Sequence, residues 1–230
     1  MPPDRPVVVI ACKVLQDLLK QYLPQELSAR ATFMDYGLHL HPKKLAEALQ
    51  EQIDSIQEPS LVVLGYGLCG NGLHGLHARQ HTLLIPRADD CIAILLGSKE
   101  AYQREFTANP GTYYLTKGWL ESGSDPLREY ESIAARYDPE TAEWIMDQQY
   151  QHYRRLLLVA HTQEDLDAYR PRALEVARYC ERWGMRYQEI LGTGAYVRRL
   201  AEAALDSGRV GSDFLLIPPG GTIDQSQFQP

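Results

Sequence analysis

A short apolar run that ends in a glycine-rich turn decides the fold of this chain. Residues 61–72 read LVVLGYGLCGNG. The run Leu61–Tyr66 has the length and apolar character of a strand that is buried on both faces of a sheet. The glycines of residues 65–72, here called the glycine loop, end that regular structure and let the chain turn sharply. The stretch therefore predicts a buried strand that delivers Cys69 into a turn at its carboxyl end.

Two other predicted strands also lead into a cysteine. Cys12 closes the apolar strand Pro6–Cys12, and Cys91 follows the strand Thr82–Pro86 at the end of the sequence PRADDC. Ligands of open α/β sheets bind beyond the carboxyl ends of the strands. We therefore expect Cys12, Cys69 and Cys91, the thiol cluster, to meet at one edge of a sheet.

Helices and strands alternate in the first part of the chain. The pattern predicts a helix over Lys13–Leu23 that stops at Pro24, a short strand over Ala31–Tyr36 and a helix that opens at Pro42. This β-α-β-α-β order is typical of a three-layer α/β fold with a mainly parallel, Rossmann-like sheet.

The second part of the chain is more helical, and the two halves are predicted to form similar lobes, because each contains a strand, a glycine-rich turn, a helix and a strand. The helices and strands predicted there are Pro139–Arg155, Leu156–Ala160, Asp165–Trp183, Tyr187–Leu191, Ala195–Leu205 and Asp213–Ile217. We predict an α/β lobe over residues 1–120 that carries the thiol cluster, a helix-rich α/β lobe over 121–221 and a loose polar tail over 222–230. One continuous domain remains the alternative.

Composition excludes several classes of protein. The 230 residues carry a net charge of −7 and no basic run, so a nucleic-acid surface is not expected. No apolar stretch approaches the roughly 20 residues that span a bilayer, and the first residues do not resemble a signal peptide. Four cysteines in a chain of this length are not a disulfide framework. We expect a cytoplasmic protein whose partner is a small-molecule substrate or cofactor rather than nucleic acid or a membrane.

The thiol cluster has the donor set of a metal site. Zinc takes four ligands from cysteine, histidine and carboxylate, and catalytic sites keep one position open. Cys12, Cys69 and Cys91 would supply three thiolates, and His39, which follows the strand 31–36 at the same sheet edge, is the preferred fourth ligand. Each cysteine alone is more simply interpreted as a buried small apolar residue. Three of them at equivalent strand ends favour a shared site, whereas Cys180 is assigned to the core of a helix.

The glycine loop has two interpretations. Its backbone amides could bind an anion or a cofactor, in which case the candidate contacts are Gly67, Gly70, Asn71 and Gly72. Its G-x-G-x-x-G spacing is a weak match to a dinucleotide site, which also requires a helix that starts within the motif. Alternatively, the glycines only let the chain turn Cys69 into a pocket. In either case at least one glycine is expected at positive φ.

Several motifs recur together in one family. They are Cys12 after its strand, the glycine loop, PRADDCI at 86–92, LGSK at 96–99 and GTYYLTKGW at 111–119. On these motifs, over nearly its whole length, the chain resembles the uncharacterised "domain of unknown function 1638" family. Members often occur among corrinoid-dependent methyl-transfer proteins, so the resemblance implies a link to corrinoid-linked methyl (one-carbon) transfer. Taken together with the zinc thiolate site expected from the cysteines, it suggests an enzyme or accessory of that transfer. The alternatives are a carrier for a corrinoid or tetrapyrrole, and a redox protein with an iron–sulfur cluster on the same cysteines.

Overall fold

The computed structural model describes residues 5–229 and divides the chain into two compact units. Unit 1 contains residues up to 99 and again from 194 onward, and unit 2 contains residues 100–193. The chain therefore leaves unit 1 and later returns to it, which differs from the predicted division near residue 120. The chain returns because the strand 214–217 pairs with the strand 82–86. These strands are far apart in the sequence, so a local sequence pattern does not predict their pairing.

The secondary structure follows the chain in alternation. The strands are β1 (Val7–Cys12), β2 (Thr32–Met34), β3 (Leu61–Gly65), β4 (Thr82–Pro86), β5 (Thr112–Thr116), β6 (Arg155–Ala160), β7 (Arg186–Leu191) and β8 (Phe214–Ile217). The α-helices are α1 (Gln16–Tyr22), α2 (Gln25–Arg30), α3 (Pro42–Asp54), α4 (Cys91–Leu95), α5 (Lys99–Ala108), α6 (Lys117–Ser122), α7 (Pro126–Ala134), α8 (Pro139–Tyr150), α9 (Gln163–Cys180) and α10 (Ala195–Leu205).

Unit 1 is built on a five-stranded sheet in the order β2-β1-β3-β4-β8. Strands β1 to β4 are parallel, and β8 closes one edge in the antiparallel direction. A single antiparallel edge strand on an otherwise parallel sheet is common in α/β folds. The predicted α/β class with a mainly parallel, Rossmann-like sheet is confirmed.

One core of unit 1 lies between this sheet and α3. Pro42 occupies the first turn of α3, where its missing N–H is not needed, and Leu45, Leu49 and Ile53 recur at four-residue spacing on the buried face. They pack in one cluster with apolar side chains of the central strands, and Cys12 and Cys69 lie at its margin. Two members of the thiol cluster therefore sit where the core meets the sheet edge.

Unit 2 has a three-stranded parallel sheet in the order β5-β6-β7. The sequence interpretation did not identify β5, α6 and α7, which are short and have mixed polarity. The helix predicted to reach Arg155 ends at Tyr150, and Arg155 instead begins β6. Its buried guanidinium binds Glu105 at 2.7 Å and Thr112 at 2.9 Å, which a helical position would not allow.

Residues 222–229 are ordered rather than loose. Ile223 and Phe228 are fully buried, and residues 225–228 form a 3₁₀ turn capped by Asp224. The Ile223 backbone exchanges two 2.9 Å hydrogen bonds with the segment Gly75–Leu76. The expectation of a loose tail is wrong because two apolar side chains within a polar stretch supply the anchors.

Within residues 5–229, no helix combines the length and the apolar character needed to cross a bilayer. The longest helix, α9, has 18 residues and carries Pro171 and several charged side chains.

Candidate thiol site at the sheet edge

The segments that carry the three predicted cysteines lie side by side in unit 1. Cys12 is the last residue of β1, and the register that pairs Ala11 with Gly65 sets the ends of β1 and β3 side by side. Charges on Cys12 and Cys69 both raise the pKa of the Cys91 thiol, and charge on Cys12 raises that of Cys69. The three sulfurs therefore lie within electrostatic reach of one another.

Backbone hydrogen bonds hold the glycine loop against the loop after β4. The Leu68 amide donates to Ala88 at 2.8 Å, and the Cys69 amide donates to Asp89 at 2.9 Å. A Cβ on Gly67 would lie 2.7 Å from the Asp90 backbone, a distance that real Cβ atoms do not show. Only glycine at this position lets the two loops approach, and their approach brings Cys69 toward Cys91.

Three consecutive residues of the glycine loop adopt left-handed backbone conformations. Their φ angles are 48° at Cys69, 63° at Gly70 and 71° at Asn71. The value at Gly70 confirms that a glycine of this loop has positive φ. The strain falls mainly on Cys69, because a residue with a Cβ loses on the order of 1 kcal/mol in this region, whereas asparagine adopts it more readily. Backbone strain of this kind is common where a fold fixes the direction of a functional side chain.

The glycine loop lacks the helix that a dinucleotide fingerprint requires. All of residues 66–81 are described, and they form turns, an isolated bridge and extended chain. Without a helix N-terminus in the motif, the amides are not arranged as in a dinucleotide-binding turn. Gly67 and Gly72 instead sit in close contact with Asp90 and Leu45, respectively. Contact of Gly67, Gly70, Asn71 and Gly72 with a cofactor remains a prediction.

The thiols of the cluster are neutral near pH 7 in this metal-free form. Burial raises the pKa of Cys12 to about 11, although a hydrogen bond from the Val14 amide opposes the shift. Burial likewise raises the pKa of Cys69 to about 12 and that of Cys91 well above its usual value. Because the thiolate is the nucleophile, these cysteines are poor nucleophiles as they stand. They are suited to ligation, in which a metal displaces the protons.

Asp90 adds negative charge to the site and is the N-cap residue of α4. Its carboxylate caps the helix by accepting hydrogen bonds from the amides of Ile92 at 2.8 Å and Ala93 at 3.4 Å. Burial raises the pKa of Asp90. Its charge in turn raises the pKa of both Cys69 and Cys91.

Tyr66 is a site residue that the sequence interpretation did not single out. Its side chain is only 3% exposed, and its hydroxyl has no hydrogen-bond partner within the described part of the chain. Burial raises the pKa of this hydroxyl most, and charge on Cys12 and Cys69 raises it further, so the hydroxyl lies within electrostatic reach of both thiols. Its position between two glycines at a strand end was a usable signal, but the 14 tyrosines of the chain concealed it.

His39 lies in the 3₁₀ turn Tyr36–Leu40, where its Nδ1 is 2.6 Å from the carbonyl oxygen of Tyr36. Its role as the fourth ligand remains a prediction. Among residues 5–229, no three His, Cys, Asp or Glu side chains form a group that could hold a metal ion as they stand. Ligation by the thiol cluster therefore requires its side chains to turn toward a common centre.

The histidines of residues 74–81 serve structural contacts. His77 pairs with Thr222 in an isolated bridge, and His74 lies 3.7 Å from Asp224. His81 is buried, and its Nδ1 accepts a 3.3 Å hydrogen bond from the Ser60 amide. These contacts hold the end of the chain and the loop before β4.

The assignment of Cys180 to the core of a helix is confirmed. It ends α9, is fully buried and packs within the apolar cluster of unit 2. Since Cys180 belongs to the other unit, it is a matched reference for substitutions in the thiol cluster.

The fold and the site together define an α/β protein with a mainly parallel sheet whose carboxyl edge carries three thiols and a buried tyrosine. The chain belongs to the DUF1638 family, described as a protein of unknown function, whose model matches residues 33–200. The matched segment contains Cys69 and Cys91, and Cys12 lies before it. No curated protein and no solved structure matches the chain.

Proposed function

We propose that the protein binds one zinc ion through Cys12, Cys69 and Cys91. The observation that carries this proposal is the approach of three cysteine-bearing segments, which the β1–β3 register and the hydrogen bonds between the glycine loop and the loop after β4 hold together. The three thiols lie within electrostatic reach of one another. Thiolate sulfur is a preferred zinc ligand, and three protein ligands leave the open fourth position of a catalytic site. The donor set therefore fits zinc, although its side chains must turn to complete the site.

The chain's own residues explain how such a site would work. The three thiols release their protons on ligation, and the hydrogen bonds between the loops keep Cys69 near Cys91. The three cysteines are only partly exposed, which limits access of water. Bound zinc would supply a Lewis-acidic centre that lowers the pKa of a thiol or water at the open position.

The reaction that we propose is methyl (one-carbon) transfer linked to a corrinoid, with this protein as an enzyme or an accessory. Three thiolates on a divalent ion leave the centre with one negative charge, and an electron-rich sulfur site suits the handling of an alkyl group. The family resemblance described above supports the link to a corrinoid. The sulfur-rich donor set supports the handling of the methyl group.

Zinc titration into the metal-free protein at pH 7 tests the proposal. Since burial keeps the thiols protonated, we expect one zinc per chain with release of about three protons, measured by calorimetry in buffers of different ionisation enthalpy. Cys69→Ser should lose tight binding and release fewer protons, because a hydroxyl is a poor substitute for a soft ligand. Cys180→Ser is the matched control and should bind zinc as the wild type does.

Two results would reject the proposal. The first is absence of zinc binding, or loss of binding in Cys180→Ser with retention in Cys69→Ser. The second is a visible chromophore in the purified protein, because a zinc thiolate site is colourless. A tetrapyrrole absorption spectrum would instead indicate a corrinoid or tetrapyrrole carrier, and a brown protein with iron and sulfide would indicate an iron–sulfur redox protein.

A further inference from the structure

We infer that the thiol site binds an uncharged small ligand whose oxygen or sulfur atom accepts a hydrogen bond from the Tyr66 hydroxyl. The inference rests on the proposed function, because the same three thiols form one side of the site. It adds the class of the ligand and the residue that recognises it.

Within the described residues, the buried Tyr66 hydroxyl is a hydrogen-bond donor without an acceptor. A buried hydroxyl without a partner destabilises a protein, and native structures leave few of them. Tyr196 shows the usual arrangement in the same unit, since it is fully buried and its hydroxyl donates to the Asp213 carbonyl oxygen at 2.7 Å. The Tyr66 hydroxyl is explained if its partner is a bound molecule.

Tyr66 lies at the same edge of the sheet as Cys12. Tyr66 directly follows Gly65, which pairs with Ala11 of β1, so Tyr66 is next to the end of the strand that carries Cys12. Tyr66 belongs to the core cluster against which Cys12 and Cys69 pack. The hydroxyl also feels the charge of both thiols. A ligand that accepts its hydrogen bond would therefore touch the thiol cluster.

Negative charge around the thiols disfavours an anionic ligand. The carboxylate of Asp35 acts on Cys12, and that of Asp90 acts on Cys69 and Cys91. Both carboxylates carry negative charge, and ligation of zinc by three thiolates would leave a further negative charge at the centre. An anion would be repelled from such a site, whereas a neutral acceptor such as an amide, a carbonyl or a thioether would not.

Acetamide and acetate provide a matched pair of probes, because they have nearly the same shape and differ by one charge. We expect acetamide to produce a saturable shift of the Tyr66 ring signal in the NMR spectrum of protein labelled with ¹³C-tyrosine, in the metal-free or the zinc-loaded form. The signal is assigned by its absence in Tyr66→Phe. Acetate should bind about tenfold more weakly or worse, given the like charges around the site. Absence of a saturable shift with acetamide in both forms, or equal binding of acetate, would overturn the inference.

Melting of two variants tests the missing partner directly. Tyr66→Phe removes an unpaired hydroxyl and should not lower the melting temperature of the metal-free protein, whereas Tyr196→Phe breaks a buried hydrogen bond and should lower it. If Tyr66→Phe melts as low as Tyr196→Phe or does not fold, the hydroxyl has a structural partner and the inference fails.

The zinc titration separates this inference from the proposed function. Tyr66→Phe should keep the wild-type zinc stoichiometry, because its hydroxyl is not one of the proposed zinc ligands. A wild-type protein that binds acetamide at Tyr66 but no zinc would refute the proposed function alone. One that binds zinc but not acetamide would refute the inference alone.

Discussion

The backbone of Gly67 lies directly against that of Asp90, so that a Cβ on Gly67 would come within 2.7 Å of the Asp90 Cα. This contact joins the turn after β3 to the residue that caps α4. The contact helps to set the distance between the segments that carry Cys69 and Cys91. The geometry of the thiol cluster therefore depends on a residue that has no side chain.

Gly67→Ala should separate these two loops. Because the clash is with backbone rather than with the end of a flexible side chain, we expect a loss of roughly 1–3 kcal/mol in the free energy of unfolding and weaker zinc binding. Chemical denaturation and zinc titration measure the two effects. Gly211→Ala is the control, since a Cβ there would meet open space and should change neither quantity. Equal behaviour of the two variants would show that the loops can part without consequence.

The raised thiol pKa values predict slow alkylation. At pH 8 in the metal-free protein, Cys12 should react with iodoacetamide on the order of a hundredfold more slowly than in the unfolded chain, since its pKa is about 11 rather than the ordinary 9.0. Mass spectrometry of the peptide that contains Cys12 gives the rate. A native rate close to the unfolded rate would mean that this thiol is not protected.

The same shift predicts a loss of stability at alkaline pH. The folded protein holds the Cys12 proton more tightly than the unfolded chain, so the associated stability is complete below about pH 9 and is lost as pH rises toward about 11. Denaturation midpoints across this range should fall with pH, and Cys12→Ser should reduce the slope. An unchanged slope in this variant would assign the loss to other groups.

Asp90 has separable roles as a cap and as a charge. Asp90→Asn keeps a side-chain oxygen for the Ile92 amide but removes the charge that raises the pKa of Cys69. We expect Asp90→Asn to keep the wild-type melting temperature and to alkylate faster at Cys69. Asp90→Ala should cost about 1 kcal/mol of stability because the cap is lost. If both variants melt alike, the cap contributes little.

Phe228 anchors the end of the chain. Its side chain is 1% exposed, and Phe228→Ala should lower the free energy of unfolding by about 3–5 kcal/mol. The neighbouring exposed Gln229 is the control, and Gln229→Ala should change stability by no more than about 0.5 kcal/mol. Denaturant titration compares them. A small effect of Phe228→Ala would support the view that residues 222–230 are dispensable.

The sequence by itself determined the elements whose signal is local. Continuous apolar runs gave β1, β3 and β4 within about one residue, and α10 covers the residues that its periodicity predicts. Because parallel strands present their carboxyl ends at one edge, those runs were also enough to anticipate that the segments carrying Cys12, Cys69 and Cys91 would lie side by side. Local composition and the geometry of parallel sheets carry this much information without any tertiary contact.

Only the tertiary structure decided the features that depend on distant residues. The antiparallel pairing of β8 with β4 and the burial of Phe228 both require the chain to return after unit 2. The left-handed backbone of Cys69 and the unpartnered Tyr66 hydroxyl depend on which groups surround them. A sequence pattern records the polarity and the propensity of each residue. It does not record whether a buried donor finds an acceptor, because the acceptor belongs to another part of the fold or to a bound ligand.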